Sequence, residues 1–307
     1  MELRHLRYFA AVAEERHVTR AARKLGIQQP PLSQQIRALE REVGAALFVR
    51  RPRGVELTEP GRAFLADARA VLAGVERALA STRRTARGEQ GRLAVGFTSS
   101  APFHPYVPRV IRAFRESHPL VSLSLEESGT PELIEGLRSE RLDAAFIRTP
   151  VADPAGLAVE PLLEEPMLVA LPRRHPLARA AGTGAPPLRL AALAAETFIL
   201  YRRGSGPGLY DVIIAACAAA GFSPHVGQEA PRIVSSLNLV ATGLGISLVP
   251  ECLRRMHLDG VVYRRQRAVP PLRAPLFVAA RQGDASPALA RFLELARRSA
   301  RGHRAPR

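Results

Sequence analysis

Gln28, Gln29, Gln34, Arg37 and Arg41 stand close together near the start of the chain. Amides can pair with adenine edges, and guanidiniums with guanine or phosphate, so such a group suits the major groove of DNA. The spacing presents these side chains on one surface. Leu32, Ile36, Leu39 and Val43 recur at helical intervals as an apolar face, with Pro31, Gln34, Arg37 and Arg41 opposite. Pro30 and Pro31 fit a first helical turn, whose N–H groups lack intrahelical partners. Just upstream, Gly26 can take the positive φ that ends a preceding helix. Residues 18–37 therefore read as two short helices joined by a tight turn. An earlier helix, Leu3 to Glu15, carries Leu6, Phe9, Ala10 and Ala13 on a face that can pack on Ala21, Ala22 and Leu25.

The elements that must position this reader follow in order. An apolar run, Val43–Arg50, meets a Pro/Gly turn and then a second alternating run from Val55 to Thr58, which predicts a hairpin. Arg50, Arg51 and Arg53 cluster at its tip and can grip phosphates as a wing. A solvated charged turn is the alternative. Residues 59–88 read as one linker helix. Leu65, Ala68, Leu72, Val75 and Leu79 are spaced three, four, three and four apart, which is the seam of a dimerisation helix. Packing against the chain's own C-terminal part would use the same seam. Thr85–Arg92 is a small, polar break, read as a hinge.

Beyond the break, apolar runs alternate with helical patterns. Strands are predicted at Leu93–Phe97, Val121–Leu125, Asp143–Ile147, Met167–Leu171, Phe198–Tyr201, Gly245–Val249 and Leu276–Ala280. Helices are predicted after Tyr106, from Thr130, around Asp211–Ala220 and Ile233–Ala241, and near Pro287–Arg298, with a frayed tail after Arg297. The alternation argues an α/β part with largely parallel sheets. Ligands of such sheets bind at the carboxyl ends of the strands. Thr98, Ser99 and Ser100 follow the first strand, and Ser128–Pro131 follows the second and opens a helix. That helix start could hold an anion, with Thr130 also expected as its cap. Arg148 follows the third strand, and Arg202 and Arg203 follow Phe198–Tyr201. Together these groups suggest a small carboxylate. Arg148 suits a bidentate carboxylate partner, and equally an internal ion pair.

Composition sets the outer bounds. The 307 residues are 47% hydrophobic and 23% charged, with a net charge of +16. A balance this basic points to nucleic acid or an anionic surface. Lys24 is the only lysine, so genome composition can account for part of the arginine excess. Cys217 and Cys252 are far apart, which fits a reducing compartment rather than a disulfide framework. With no signal peptide and no apolar run long enough for a membrane span, a soluble cytoplasmic protein is expected. No metal or cofactor is expected: the eight histidines show no metal-ligand spacing. No GxSxG or HExxH is present, and Gly204–Gly208 is not a dinucleotide fingerprint. An enzyme has little support. A sensing module whose helix pair binds protein, or an α/β transferase with a helical head, are the competing classes.

The residues then resemble the LysR-type transcriptional regulators. In the head the resemblance is carried by Leu3, Leu6, Phe9 and Val12, Ala21-Ala22 and Leu25, Gln29–Arg37, Leu39-Glu40, Gly44, Leu47-Phe48, Arg50, Leu57-Thr58 and Gly61. Gly136-Leu137 with Leu142-Asp143, His175–Leu177 and Val240–Pro250 carry it through the remainder. It implies α/β with an N-terminal all-α winged helix-turn-helix (residues 1–58), a linker/dimerisation helix (59–88) and an effector-binding part (91–307). The last would comprise two α/β subdomains like type 2 periplasmic binding proteins, residues 91–163 with 269–307, and residues 164–268. Carried over by position, the DNA-reading residues are Gln29, Pro30, Pro31, Ser33 and Gln34, with Arg37 near the backbone. Implied partners are double-stranded operator DNA, a small-molecule effector, further copies of the chain as homodimer or homotetramer, and RNA polymerase. Gly96-Phe97, Ser99-Ser100, Gly129-Thr130 and Arg148 look most like the branch regulating catechol, benzoate and chlorocatechol degradation. That implies a muconate-like or aromatic acid. The chain departs at His17 and Gln28, where the family often has Ser, a better helix cap.

Overall fold

The computed structural model describes residues 1–52, 54–149, 151, 153–179, 185–201 and 208–304. The chain divides into two compact units, Met1–Arg84 and Thr85–Arg307.

The first unit contains α1 (Leu3–Glu15), α2 (Val18–Leu25), α3 (Gln29–Val43), a hairpin of β1 (Phe48–Arg51) and β2 (Gly54–Leu57), and most of α4 (Glu59–Ala86). The apolar faces expected from the sequence meet in one core: Leu6, Phe9 and Val12 of α1, Ala21 and Ala22 of α2, and Leu32, Ile36 and Leu39 of α3. Gly26 ends α2 at φ 69°. Neither His17 before α2 nor Gln28 before α3 caps its helix through the side chain. The hairpin is held from two sides. Phe9 packs tilted against Phe48 and edge-on against Phe64, each with ring centroids 5.1 Å apart. Gly61 lies so close to the strand entry that a Cβ would stand 2.1 Å from the Leu47 carbonyl oxygen. Thr58 Oγ1 donates to the Ala46 carbonyl at 2.7 Å and accepts from Gly61 N–H at 2.9 Å, starting α4 there.

The seam of α4 is divided along its length, which corrects the expectation of one continuous dimerisation surface. Ala68 is buried, and Leu65 and Leu72 pack against the head core. Ala68 is therefore closed off inside this unit, while Leu65 and Leu72 are half-buried there. Val75 is half-buried and Leu79 is exposed, as is Val71.

The second unit runs β3 (Gln90–Phe97), α5 (Tyr106–Ser117), β4 (Leu120–Glu127), α6 (Thr130–Arg138), β5 (Ala144–Ile147), β6 (Leu157–Pro172), β7 (Leu188–Arg189), β8 (Thr197–Tyr201), α7 (Leu209–Ala219), β9 (His225–Ala230), α8 (Ile233–Ala241), β10 (Ser247–Pro250), β11 (Val261–Arg267), β12 (Arg273–Arg281) and α9 (Pro287–Arg304). Its main sheet has the order β4-β3-β5-β12-β6-β11-β7, with β10 also on β6. β3 is parallel to β4 and β5. The remainder is mixed and not largely parallel as expected: β12 is antiparallel to β5 and β6, and β10 and β11 are antiparallel to β6, whereas β7 is parallel to β11 and β8 pairs in parallel with β9 in a separate sheet. β6 is the cause. Residues Leu157–Pro166 pair with β12, and Met167–Pro172 pair with β10 and β11. The sequence exposes only the second half as a strand, because Pro161 and Pro166 lie in the first and proline reads as a strand breaker.

Apolar clusters cover the sheet. Val107, Val110 and Phe114 of α5 meet Phe146 and Phe292, whereas Leu133 and Leu137 of α6 pack with Ile147 elsewhere. Another cluster joins Val169 and Leu171 to Phe198, Leu200 and Ile213. α9 does not fray after Arg297 but continues to Arg304. Ala296 and Ala300 are buried, and the Ala296 carbonyl accepts from Tyr106 OH at 2.6 Å. Among the described residues, no helix is long and apolar enough to cross a membrane.

Candidate functional site

The first candidate site is the outer face of α3. Burying Leu32, Ile36 and Leu39 leaves Gln29, Pro30, Pro31, Gln34 and Arg37 exposed, with Ser33 half-buried beside them. Gln29 Nε2 donates to Ser33 Oγ at 2.9 Å, so these two satisfy each other along the helix. Gln35, facing elsewhere, bonds His5 at 2.7 Å and ties α3 to α1.

The hairpin is attached to this helix by a residue whose role the sequence did not reveal. Glu40 Oε1 accepts from Leu47 N–H at 2.8 Å and Phe48 N–H at 3.0 Å. A carboxylate on α3 thus fixes the entry to β1, and the spacing from Arg37 to Arg50 in space depends on it. Arg50 is exposed on the hairpin. Arg51 is also exposed but bonds Glu56 on the opposite strand at 3.0 Å, which offsets its charge. Arg53 lies outside the described residues.

The second candidate site is a cavity of about 440 Å³ in the later unit, within the range of small-molecule sites. The ends of β3 and β4 supply Thr98, Ser99, Ser100 and Glu127, the start of α6 supplies Thr130, and Arg148, Tyr201, Leu209, Arg232 and Ile233 complete much of the wall. The hydroxyls predicted from the strand ends are therefore brought together. Arg202 and Arg203 lie outside the described residues.

Of the two partners expected for Arg148, the geometry gives the internal ion pair and not a bidentate ligand. Its Nη2 lies 2.7 Å from Glu165 Oε1, with both side chains buried, and its Nε donates to Ser100 Oγ at 3.2 Å. Glu165 in turn accepts from the Cys252 N–H at 2.6 Å. What remains is Arg148 Nη1, which together with Thr98 Oγ1 is buried without a hydrogen-bond partner among the described residues. Contrary to expectation, Thr130 is not the cap of α6. Gly129 is the N-cap and Thr130 the first helical residue. A Cβ on Gly129 would stand 2.3 Å from Glu132 Oε2, so the Glu132 carboxylate already lies over this helix start. The cavity also holds an ion pair that no local pattern announced: Arg232 Nη1 donates to Glu127 Oε1 at 2.7 Å.

Burial raises the Tyr201 phenol far above its ordinary range, and its hydroxyl donates to the Leu248 carbonyl at 2.5 Å. Burial also raises the Cys252 thiol, with the Glu165 carboxylate adding to the shift. Both are neutral hydrogen-bonding groups at physiological pH, not nucleophiles.

Comparison with known proteins gives both regions a place. Residues 3–62 match the family described as bacterial regulatory helix-turn-helix protein, lysR family, and residues 86–301 match the LysR substrate binding domain. The chain is similar to the HTH-type transcriptional regulator BudR of Raoultella terrigena, 40% identical over 295 residues, covering 96% of this chain and 100% of the relative. It is also similar to the HTH-type transcriptional regulator CatR of Pseudomonas putida, 39% identical over 295 residues, covering 96% and 98%. The crystal structure of full-length CbnR complexed with its target DNA matches with a TM-score of 0.84 at 31% identity, covering 98% of this chain and 100% of that one.

Proposed function

We infer the function from one premise: the chain belongs to the LysR family of bacterial regulators. It is a DNA-binding transcriptional regulator with an effector-binding domain, not an enzyme. The finer reading is ours. We propose that α3 reads base edges through Gln34, with Gln29, Pro30, Pro31 and Ser33 beside it, while Arg37, Arg50 and Arg51 hold phosphates. The observation that carries this is the exposed amide and guanidinium face of α3, braced to the hairpin by Glu40. Paired heads, joined through the Val75–Leu79 part of α4, would read palindromic half-sites, as a dimer or tetramer. Such a regulator works in the cytoplasm, beside RNA polymerase.

The effector is a small carboxylate, of the muconate or aromatic-acid class. Support comes from the hydroxyls at the strand ends, the unpartnered Arg148 Nη1 and the apolar wall at Leu209 and Ile233. CatR and the probable cat1 operon activator of Acinetobacter lwoffii are among the relatives, beside BudR. A gel shift of the full-length protein on the DNA upstream of its own gene tests the first part; equal binding to scrambled duplex would refute sequence reading. Calorimetry with cis,cis-muconate and benzoate tests the second, and heat from neither would remove the carboxylate assignment.

A further inference from the structure

We propose that Arg232 is the residue that selects the effector's carboxylate, and that Glu127 occupies its guanidinium until the effector arrives. This rests on the carboxylate reading above and says which group performs it.

Among the described residues, the charges around the cavity leave one exchangeable site. Arg148 is committed to Glu165, and these side chains are only 3% and 8% exposed. Extracting such a partner would leave a buried charge unpaired, which is strongly unfavourable. The start of α6, the other electropositive feature, is covered by the carboxylate of Glu132. Arg232 and Glu127 differ in kind. Their side chains are 65% and 34% exposed, yet both line the cavity. A solvent-accessible pair of this sort is weak and can be broken without burying a charge.

The two partners also come from different elements. Glu127 ends β4, and Arg232 immediately precedes α8. Their sequence separation is 105 residues, so no local turn holds them together. An incoming carboxylate can take the place of Glu127 on Arg232, with one charge-assisted contact replacing another. Coulombic gain is then close to nil for any anion, and small inorganic anions are not retained. Net affinity comes from what else the ligand carries: hydroxyl or carboxylate oxygens for Ser99 and Arg148 Nη1, and an apolar body against Leu209 and Ile233. Glu127 thereby filters for carboxylates with a hydrophobic body.

The test is calorimetric titration of the full-length protein with cis,cis-muconate, benzoate and uncharged benzyl alcohol. Glu127→Gln removes the internal competitor and should tighten binding of the two acids by about three- to fivefold. Arg232→Gln should weaken it by about tenfold or more, with Arg232→Lys restoring part of the loss. Benzyl alcohol should respond to neither. If the wild type binds an acid and both Gln variants bind it within twofold of wild type, the role of Arg232 is overturned while the carboxylate reading stands. If neither the wild type nor Glu127→Gln binds either acid, both are overturned. Equal weakening of the acids and benzyl alcohol by Arg232→Gln would mark a structural defect and also overturn the proposal.

Discussion

Arg148 Nη2 and Glu165 Oε1 lie 2.7 Å apart with their side chains almost wholly buried. The pair is closed further by Ser100 Oγ on Arg148 and the Cys252 N–H on Glu165. Removing one member leaves the other charged and dry. Glu165→Leu should therefore cost about 3–5 kcal/mol of stability, whereas Arg148→Met with Glu165→Leu should cost clearly less. Urea unfolding of the single and double variants decides it; a double variant no more stable than the single would contradict the argument.

Side chains on α3 and on the hairpin should fail in different ways. Gln34→Ala should cost about 1–3 kcal/mol on the preferred operator and little on other sequences. Arg50→Ala should weaken all duplexes alike and reduce the slope of log affinity against log salt by about 1. Fluorescence anisotropy on operator and scrambled DNA at several salt concentrations separates the two patterns. Identical behaviour of both variants would remove the assignment of reading to Gln34.

The divided seam of α4 predicts a corresponding division of phenotypes. Ala68 is 2% exposed in the head core. Ala68→Leu should overpack it and destabilise the head by about 1–3 kcal/mol. Leu79 is 46% exposed, so Leu79→Ala should leave thermal stability nearly unchanged and shift sedimentation towards smaller species. A normal oligomer in Leu79→Ala would place self-association elsewhere.

The uncapped start of α3 offers a gain. Gln28 is exposed and makes no side-chain cap bond. Gln28→Ser supplies an acceptor for an N–H of the first turn and should stabilise the protein by about 0.5–1 kcal/mol. Thermal unfolding reads this directly. A simultaneous fall in operator affinity would show that Gln28 contributes a DNA contact.

Alkaline pH should weaken the second unit. Burial pushes the Cys217 thiol up to about 11 from an ordinary 9.0. The unfolded chain then loses its proton at lower pH than the folded one. Stability from this group is complete below pH 9 and declines as pH rises towards 11. Chemical denaturation across that window should show the decline, and Cys217→Ala should make it shallower, leaving the part contributed by the buried Cys252 thiol. The same slope in the variant would assign the effect to other groups.

How far the molecule could be read from its sequence follows from how local each determinant is. The head was legible because Leu32, Ile36 and Leu39 state a helical period and Gly26 states where the preceding helix stops. The hydroxyls of the cavity were legible because they follow strands that the apolar runs mark. Glu165 and Glu127 were not, since each finds its arginine through the tertiary fold and neither belongs to a periodic pattern. Arg148 shows the boundary well. Its position at a strand end was readable, but its partner was not, and the partner decides what the guanidinium can still do. The first half of β6 was hidden by Pro161 and Pro166, and Glu40 by looking like any polar helix residue.

The pairing of β6 also fixes an order of events during synthesis. Residues Leu157–Pro166 find their partner only in Arg273–Arg281, and α9 comes after that. The sheet around β5 and β6 therefore stays incomplete until Arg273–Arg281 has left the ribosome. The head draws its core from residues no later than Leu72, so it can close while the rest is still being made. A nascent chain thus displays a finished DNA-binding head before it owns the part that would govern it.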